Sequence, residues 1–206
     1  MPKRTIVYVD GFNLYHALDE LRDDSLKWLC LRRLSESFLR HDEELKQVKY
    51  FSAYATWMPD AHARHRDYVQ ALMAEGVKFV EGNFKKKSLK CRTCSSQYWT
   101  HEEKETDVNI AIHLVRDTLQ DSYDRAIIIS ADTDMCSAID MARQLSGTKQ
   151  VDVIAPPGRF ARSRSLKPLL EIQKGRLKKC RLNETYDLGK GKTVSAPVKY
   201  RLPFQP

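Results

Sequence analysis

The sequence has no apolar run that approaches the roughly 20 residues of a membrane-spanning helix. It also has no apolar signal-peptide stretch at its start, because Met1-Pro2-Lys3-Arg4 leads directly into a short strand-like segment. Its cysteines are few and odd in number, which does not suit a secreted disulfide framework: Cys30, Cys91, Cys94, Cys136 and Cys180. These absences predict a cytoplasmic protein with no membrane partner.

The length and the charge set the next limits. With 206 residues, 42% of them hydrophobic and 30% charged, the chain is long enough for one substantial core and too short for two full domains. Its formal net charge of +8 predicts a polyanionic partner, because basic surface attracts phosphate backbones. A charge that serves only solubility is the alternative.

Two apolar, β-branched runs end at acidic residues. Residues 6–9 stop at Asp10, and residues 125–129 are followed closely by Asp132 and Asp134. Buried strands of parallel sheets have this composition, and open α/β sheets bind ligands at the carboxyl ends of their strands. Gly11 allows a tight turn into a helix, and Asn13 lies one helical turn beyond Asp10, so its amide can point toward the same place.

Strand and helix patterns alternate along the rest of the chain. Further strands are predicted at 48–55, 77–80 and 151–155, and helices at 14–21, 31–39, 59–75, 102–119 and 135–145. The buried positions predicted for two of these helices are Tyr68, Leu72 and Met73, and Val108, Ala111, Ile112, Val115 and Leu119. This alternation predicts an α/β fold, a three-layer sandwich whose central parallel sheet has helices on both faces.

The acids at the strand ends, with one more from the long helix, are expected to converge: Asp10, Asp107, Asp132 and Asp134. Carboxylates crowded together repel one another unless they are protonated or bind a cation. Oxygen-rich sites of this kind suit Mg²⁺ or Mn²⁺, which support phosphodiester hydrolysis. Taken singly, each acid is explained as well by helix capping or solvation; taken together in a basic chain, they favour a metal site.

Three motifs resemble those of the NYN domain, the LabA-like branch of the PIN-like nuclease superfamily. They are Val-Asp-Gly-Phe-Asn-Leu at 9–14, Glu-Lys-Glu-Thr-Asp-Val-Asn-Ile-Ala at 103–111, and Ile-Ile-Ile-Ser-Ala-Asp-Thr-Asp at 127–134. Their order and spacing also match, and Ala155-Pro156-Pro157 before a basic segment is similar to that branch's ending. The resemblance spans residues 4–180 approximately and implies a PIN-like (Rossmann-like) sheet and a metal-dependent endoribonuclease.

The resemblance implies roles for particular residues. Asp10, Asp107, Asp132 and Asp134 would be metal ligands, Asn13 would support Asp10, and Ser130 and Thr133 would lie near the phosphate; the products would be a 5′-phosphate and a 3′-hydroxyl. Two positions depart from the pattern: Ala131 replaces a common glycine, and His113 replaces a common aspartate six residues after Asp107. The second departure puts a strict two-metal mechanism in doubt, although His113 could serve as a ligand or proton carrier instead.

Residues 84–101 read as a basic insertion at the rim of the sheet. Cys91-x-x-Cys94 has the spacing of half a zinc site, with His101 as a third ligand and Cys180 or another subunit as a distant fourth; free thiols and a redox pair are the alternatives to Zn²⁺. Cations beside Tyr98 and Trp99 suit single-stranded RNA, with a solvated loop as the alternative. The predicted RNA-binding residues are Lys85, Lys86, Lys87, Lys90, Arg92, Arg159, Arg162 and Arg164.

The sequence therefore predicts a nuclease domain at 1–180 and a C-terminal extension at 181–206, packed by Leu202 and Phe204. The predicted partners are single-stranded RNA and a second copy of the chain. A second hypothesis is a PIN-like RNA-binding scaffold that cuts weakly or not at all, which His113 favours and the retained acids oppose. A haloacid dehalogenase-type phosphatase is excluded because Phe12 replaces its second aspartate, and a dinucleotide enzyme because no Gly-x-Gly-x-x-Gly follows a strand.

Overall fold

The computed structural model describes residues 1–145 and 147–202, and its strands and helices alternate along most of that range. The strands are β1 Lys3–Asp10, β2 Glu43–Ser52, β3 Lys78–Glu81, β4 Asn83–Lys90, β5 Gln97–Lys104, β6 Arg125–Ile129, β7 Gln150–Ala155, β8 Leu170–Glu171, β9 Thr185–Asp187 and β10 Thr193–Ser195. The α-helices are α1 Gly11–Glu20, α2 Leu31–Glu36, α3 Pro59–Ala74, α4 Thr106–Leu119, α5 Cys136–Leu145 and α6 Lys174–Lys179. Within these described ranges, no helix is both long and apolar enough to cross a membrane.

Six parallel strands form the central sheet in the order β3-β2-β1-β6-β7-β8. The chain first builds outward from β1 to β2 and β3, then returns to the other side of β1 with β6. This reversal of strand order between β1 and β6 is the place where open α/β sheets leave a crevice for ligands. The predicted fold class, an α/β sandwich with a central parallel sheet, is confirmed.

Alternate residues of β1 supply the two hydrophobic cores. Val7 and Val9 face the cluster to which α1, α2 and α3 contribute, whereas Ile6 and Tyr8 face the cluster that includes α4 and α5. This follows from the two-residue period of a strand, and both faces are apolar because both are covered. The sheet is therefore the middle layer of three.

Helix α4 buries a different face from the one that its apolar pattern predicts. Ile110 and Leu114 are 1% exposed, and Asp117 and Thr118 are also buried, whereas Val108, Ile112 and Leu119 are more than half exposed. Asp117 can be buried because Lys49, Tyr8 and Arg116 bind its carboxylate. The predicted inward stripe is thus wrong at three positions, as is the predicted burial of Met73, which is exposed on α3.

The insertion predicted at 84–101 is a two-stranded antiparallel hairpin, formed by β4 and β5. Its register pairs Phe84 with Glu103, Lys86 with His101, and Ser88 with Trp99, so these side chains share one face. Lys85 pairs with Glu102 on the other face, and the cysteines of the Cys-x-x-Cys pair lie at the turn. The hairpin gives the basic segment a defined direction away from the sheet.

The segment after residue 180 completes the core on the α1–α3 side. Leu182, Val194, Ala196 and Tyr200 are buried in the same cluster as the helices. The indole of Trp28 donates to the carbonyl oxygen of Asn183 at 2.8 Å. Leu202, predicted to pack, is 59% exposed, and Phe204 lies outside the described residues. The predicted extension is therefore part of the same packed unit as far as residue 200.

Candidate functional site

Asp10 is held by hydrogen bonds at the end of β1. It is 3% exposed; its Oδ1 accepts the backbone N–H of Asn13 at 2.9 Å, and its Oδ2 accepts the hydroxyl of Ser130 at 2.8 Å. The first bond makes Asp10 the N-cap of α1, and the second ties β1 to the loop after β6. Asp10 therefore does cap α1, and the same hydrogen bonds hold its carboxylate at the switch point between β1 and β6. Capping by itself does not account for the burial of this carboxylate.

Gly11 allows α1 to begin against β2. A Cβ atom at this position would lie 2.4 Å from Cε2 of Tyr50 and 2.7 Å from the carbonyl oxygen of Phe51. Any side chain would therefore push the start of α1, and Asp10 with it, away from the sheet. Glycine is required here by close approach rather than by the tight turn that the sequence suggested.

A second set of hydrogen bonds positions the loop after β6. The side-chain Oδ1 of Asn13 accepts the backbone N–H of Ala131 at 3.1 Å, and the hydroxyl of Ser130 accepts the backbone N–H of Asp132 at 3.0 Å. Oδ1 of Asp132 in turn caps the short 3-10 helix Thr133–Met135 by accepting the N–H of Asp134 at 3.0 Å. The structure therefore brings Asn13 and Ser130 together with Asp10 and the loop of Asp132, where they hold the carboxylate and the loop in place.

The carboxylates act on one another electrostatically. The pKa of Asp10 is raised to about 7, mainly by burial and also by the charges of Asp107 and Asp132, against the opposing hydrogen bonds from Asn13 and Ser130. Asp107 lies in the first turn of α4, and its pKa is raised by burial and then by Asp132 and Asp134. The predicted acids thus share one region at the switch point, and in the absence of a cation their negative charges oppose one another.

Glu103 belongs to the same acidic region, although the sequence pattern did not single it out. It lies on β5, its Oε1 is buried without a hydrogen-bond partner, and burial followed by the charges of Asp107 and Asp10 raises its pKa to about 7. Its neighbour Glu102 is on the opposite face and pairs with Lys87 and Lys104. The alternation of side chains along a strand is the signal that separates Glu103 from Glu102. It was missed because residues 102–105 were predicted to begin the helix at 102–119.

These side chains suit a hard divalent cation. In the ranges the structure describes, no group of three or more His, Cys, Asp or Glu side chains is already assembled to hold a metal ion. The donor set nevertheless consists of carboxylate oxygens, the ligands that Mg²⁺ and Mn²⁺ favour, and one of them is the buried, unpartnered Oε1 of Glu103. The residues therefore fit such a cation chemically, and binding it would require the acids to draw together.

His113 does not join the acids. Its ring meets Phe51 edge-on with centroids 5.4 Å apart, and its Nδ1 lies 3.1 Å from Nη2 of Arg116. Burial, and then the positive charges of Lys49 and Arg116, lower its pKa. The structure therefore places His113 with the Lys49–Asp117 ion pair and not with Asp107.

The three predicted zinc ligands are not brought together. Cys91 and Cys94 lie at the hairpin turn as free thiols, while His101 lies further down β5 and stacks on Trp57 with ring centroids 3.6 Å apart. Cys180 is buried beside Cys30. The backbone N–H of Cys30 donates to the carbonyl oxygen of Cys180 at 2.7 Å. The hairpin is held by strand pairing and by the Trp57 stack instead.

The predicted RNA-binding cations fall into two groups. Lys85, Lys86, Lys87, Lys90 and Arg92 are exposed on the hairpin, and Arg162 and Arg164 are exposed after β7. Arg159 differs, because it is buried and its guanidinium pairs with Glu20 at 2.6 Å. Thr133 is exposed beside the acids. Most of the predicted cations are therefore accessible to a polyanion, whereas Arg159 is engaged in the fold.

Comparison with known proteins identifies a family, a curated relative and a solved structure of similar fold. The profile of the NYN domain family matches residues 4–168. The 6-hydroxy-3-succinoylpyridine 3-monooxygenase HspA of Pseudomonas putida is 27% identical over 190 residues, covering 75% of this chain and 60% of that protein. A crystal structure of a Vibrio parahaemolyticus protein of unknown function superposes with a TM-score of 0.54 at 18% identity, covering 83% of this chain and 92% of the other. The structural likeness shows a shared fold, and the chain spans about 60% of the curated relative's length.

Proposed function

This chain belongs to the NYN domain family, within the PIN-like nuclease superfamily, and on that premise we propose that it is a metal-dependent endoribonuclease. One observation carries the proposal. Asp10 is buried and hydrogen-bonded at the β1–β6 switch point, in a region where the charge of Asp107 raises the pKa of both Asp10 and Glu103. Such an arrangement costs stability unless a cation or protons neutralise it, so its best use is to bind a divalent metal.

The proposed ligands of Mg²⁺ or Mn²⁺ are Asp10, Glu103, Asp107, Asp132 and Asp134. When bound, the cation would activate water and stabilise the leaving oxygen in hydrolysis of the phosphodiester. Asn13 and Ser130 hold the carboxylate of Asp10 and the loop of Asp132 in place. By family analogy the products are a 5′-phosphate and a 3′-hydroxyl.

The proposed substrate is single-stranded RNA, bound by exposed cations on either side of the acids. The hairpin supplies Lys85–Lys87, and the segment after β7 supplies Arg162 and Arg164. Phosphate contacts of this kind give affinity that falls steeply with salt concentration. Arg159 is left out of this proposal because Glu20 already pairs with it.

The test is cleavage of an end-labelled single-stranded RNA in Mn²⁺ or Mg²⁺ against EDTA. Wild type is compared with Asp10→Asn and Asp132→Asn. Asp140→Asn, a change to an exposed side chain of α5, is the matched control. We expect metal-dependent cutting that both site variants reduce by at least a hundredfold, about 3 kcal/mol of transition-state stabilisation, and that the control retains. Metal-independent cutting, or equal loss in the control, would contradict the proposal.

An RNA-binding scaffold is the second candidate. It is favoured because the acids of the described residues are not assembled for a cation as they stand, and because His113 packs on Phe51 instead of adding an acid. In that case wild type would bind RNA with strong salt dependence and leave it intact in every metal. The cleavage assay separates the two candidates directly.

The name of the Pseudomonas putida relative raises a different activity, oxygenation of a hydroxypyridine. Since this chain spans about 60% of that protein, we treat the activity as a further arm of the same test. Consumption of 6-hydroxy-3-succinoylpyridine with oxygen and a nicotinamide reductant would be followed by chromatography. Turnover by wild type and not by a heat-denatured sample would replace the nuclease proposal.

We further propose that the chain forms a homodimer through α4. One face of α4 is apolar and at least partly exposed, with Val108, Ile112, Val115 and Leu119 along it. If two copies pack these faces with their helices antiparallel, a two-fold axis that crosses the helix midway between residues 113 and 114 places 108 against 119 and 112 against 115. A self-matching surface of this kind is what an isologous dimer requires, and exposed apolar patches mark interaction sites. Light scattering should give a dimer for wild type and a monomer for Ile112→Lys, with Thr100→Lys on the hairpin as the control.

A further inference from the structure

A cavity of about 290 Å³ opens beside the acidic region at the root of the β4–β5 hairpin. Trp57, Phe84 and His101 are among its walls, together with polar side chains that include Asn83 and Lys86. Its floor includes Gly82, where an added Cβ would lie 2.7 Å from Oγ1 of Thr106, the residue before Asp107. One residue of the cavity lining therefore lies against the residue that precedes Asp107.

A series of aromatic contacts links this cavity to the end of β1, where Asp10 lies. Phe12, two residues after Asp10 and 40% exposed, meets Phe84 edge-on with centroids 6.2 Å apart. Phe84 meets Trp57 at 4.7 Å, and Trp57 stacks on His101. Since Trp57 remains 38% exposed, one part of its ring system is available to a ligand while another is covered by His101.

The register of the hairpin sets the order of groups away from the acids. Glu103 and Phe84 come first on one face, then His101 and Lys86, then Trp99, over whose ring the ammonium of Lys86 lies at 4.5 Å. Four steps along the strand separate Glu103 from Trp99, about 14 Å at roughly 3.4 Å per residue. A carboxylate site, an aromatic cavity and a cation on an aromatic ring thus follow one another along a single surface.

We propose that the cavity formed by Trp57, Phe84 and His101 binds one unpaired nucleobase of the RNA strand, next to the phosphate at the acidic site, with Lys86 on a neighbouring phosphate. The inference deepens the proposed endoribonuclease and rests on it for the identity of the strand. Aromatic rings stack on bases, and cations track the backbone, in the known modes of single-strand binding. A base in a duplex is already stacked on both faces, so the cavity selects single strands.

The competing explanation is that these rings only fasten the hairpin to the body of the protein. The two explanations differ in what a missing base would do. If the cavity holds a base, removing one particular base from the RNA weakens binding to wild type, and removing it makes no difference once Trp57 is replaced. If the rings serve only to fasten the hairpin, no single base matters more than its neighbours.

The test uses the full chain in EDTA, so that binding is measured without cleavage. Fluorescence anisotropy is followed for a labelled eight-nucleotide RNA, for the same RNA with one abasic position moved along it, and for a duplex. The variants are Trp57→Ala, the conservative Trp57→Phe, and Tyr15→Ala, an exposed ring on α1 that lies against Lys27 and outside the cavity. Circular dichroism and thermal melting check that each variant is folded.

We expect one abasic position to weaken binding to wild type about 5- to 100-fold, the usual contribution of one base stacked on an aromatic ring. Trp57→Ala should show a similar loss with intact RNA and no further loss with that abasic RNA. Trp57→Phe should retain most of the affinity, and Tyr15→Ala should stay within about twofold of wild type. Equal effects at every abasic position, or equal losses for Trp57→Ala and Tyr15→Ala, would overturn the proposal. The wild-type abasic series decides between the two explanations even if a variant fails to fold.

The outcome is distinguishable from failure of the nuclease proposal. Base-dependent binding in EDTA without cleavage in Mg²⁺ or Mn²⁺ would keep the cavity and remove the nuclease. Metal-dependent cleavage that is indifferent to the abasic position and to Trp57→Ala would keep the nuclease and remove the cavity.

Discussion

The hydroxyl of Ser130 donates a 2.8 Å hydrogen bond to Oδ2 of Asp10 and so joins the ends of two neighbouring parallel strands. The same hydroxyl accepts the N–H of Asp132, so one side chain supports acids from β1 and from the loop after β6. The geometry of the proposed cation site therefore depends on a residue that would not itself bind the cation.

Replacing Ser130 with alanine should weaken both folding and the site. The change leaves a buried carboxylate oxygen and a backbone N–H without their partner, at a cost of about 1–3 kcal/mol in the free energy of unfolding. Urea denaturation at pH 8 in EDTA measures the loss, and calorimetric titration with Mn²⁺ measures the affinity. Ser137→Ala, at a position of α5 outside the site, is the control and should change neither quantity.

The contribution of Asp10 and Glu103 to the stability of the metal-free protein should fall as pH rises from about 4 to 7, against an opposite contribution from His65 and His113, whose pKa values burial lowers. The folded-state pKa values of Asp10 and Glu103 are about 7, above their unfolded values of roughly 3.9 and 4.3, so the folded protein binds more protons within that window. Asp10→Asn and Glu103→Gln should each flatten the decline, by about 1–3 kcal/mol at pH 8. Thermal melting in EDTA across this range gives the comparison.

Glu102→Gln serves as the control for this pH dependence. Glu102 lies on the opposite face of β5, and its hydrogen bonds to Lys104 and Lys87 lower its pKa. Its replacement should leave the slope between pH 5 and pH 7 unchanged. If wild type and the variants Asp10→Asn and Glu103→Gln had the same slope of stability against pH, the charges of Asp10 and Glu103 would not be destabilising the folded protein.

Gly11→Ala should destabilise the protein and abolish cleavage together. The added Cβ would meet Cε2 of Tyr50 at 2.4 Å and backbone of β2 at 2.7 Å, and relief of such overpacking costs about 1–3 kcal/mol. Gly175→Ala in α6 is the matched control, because no atom lies within 4 Å of its added Cβ; it should be neutral or slightly stabilising. Chemical denaturation and the RNA cleavage assay are measured on both variants. Full activity in Gly11→Ala would show that the position of Asp10 tolerates the displacement.

Lys49→Met should be among the most destabilising changes outside the site. The ammonium of Lys49 is buried against the carboxylate of Asp117, which also accepts the hydroxyl of Tyr8 at 2.6 Å. Removing Lys49 leaves the buried carboxylate with Arg116 as its remaining cation, so the cost should be substantial but below the about 3–5 kcal/mol of a fully unpaired buried charge. Lys78→Met, the exposed cross-strand neighbour on β3, should cost little. Guanidinium denaturation at pH 7 compares them, and Lys49→Met/Asp117→Asn should recover part of the loss if the unpaired charge is the cause.

The sequence was sufficient for the sheet and for most of the acids because both depend on local patterns. Apolar runs that end in Asp10 and before Asp132 mark adjacent parallel strands, whose carboxyl ends must meet at one edge. Glu103 could not be placed in the same way. Its role depends on the pairing of β5 with β4, and the lysine-rich β4 has little strand propensity of its own.

The buried face of α4 shows a second limit of sequence patterns. Val108, Ile112 and Leu119 form a regular apolar stripe, yet the sheet covers the face with Ile110, Leu114 and Asp117. A helix with two apolar faces gives no local signal for which one is covered. Asp117 can be buried because Lys49 and Tyr8 reach it from β2 and β1, and such long-range pairing cannot be read from helical spacing.

Residues 177–200 pack against α1–α3, so they belong to the shortest segment of this chain that would keep that core intact. The family signature ends at residue 168, but Leu177, Leu182 and Val194 fill the same core as Trp28, a fully buried indole. Excision at the signature boundary would expose that core to water and invite aggregation. A gene fusion or a recombinant fragment would therefore need to carry the chain through Tyr200 to keep this core covered.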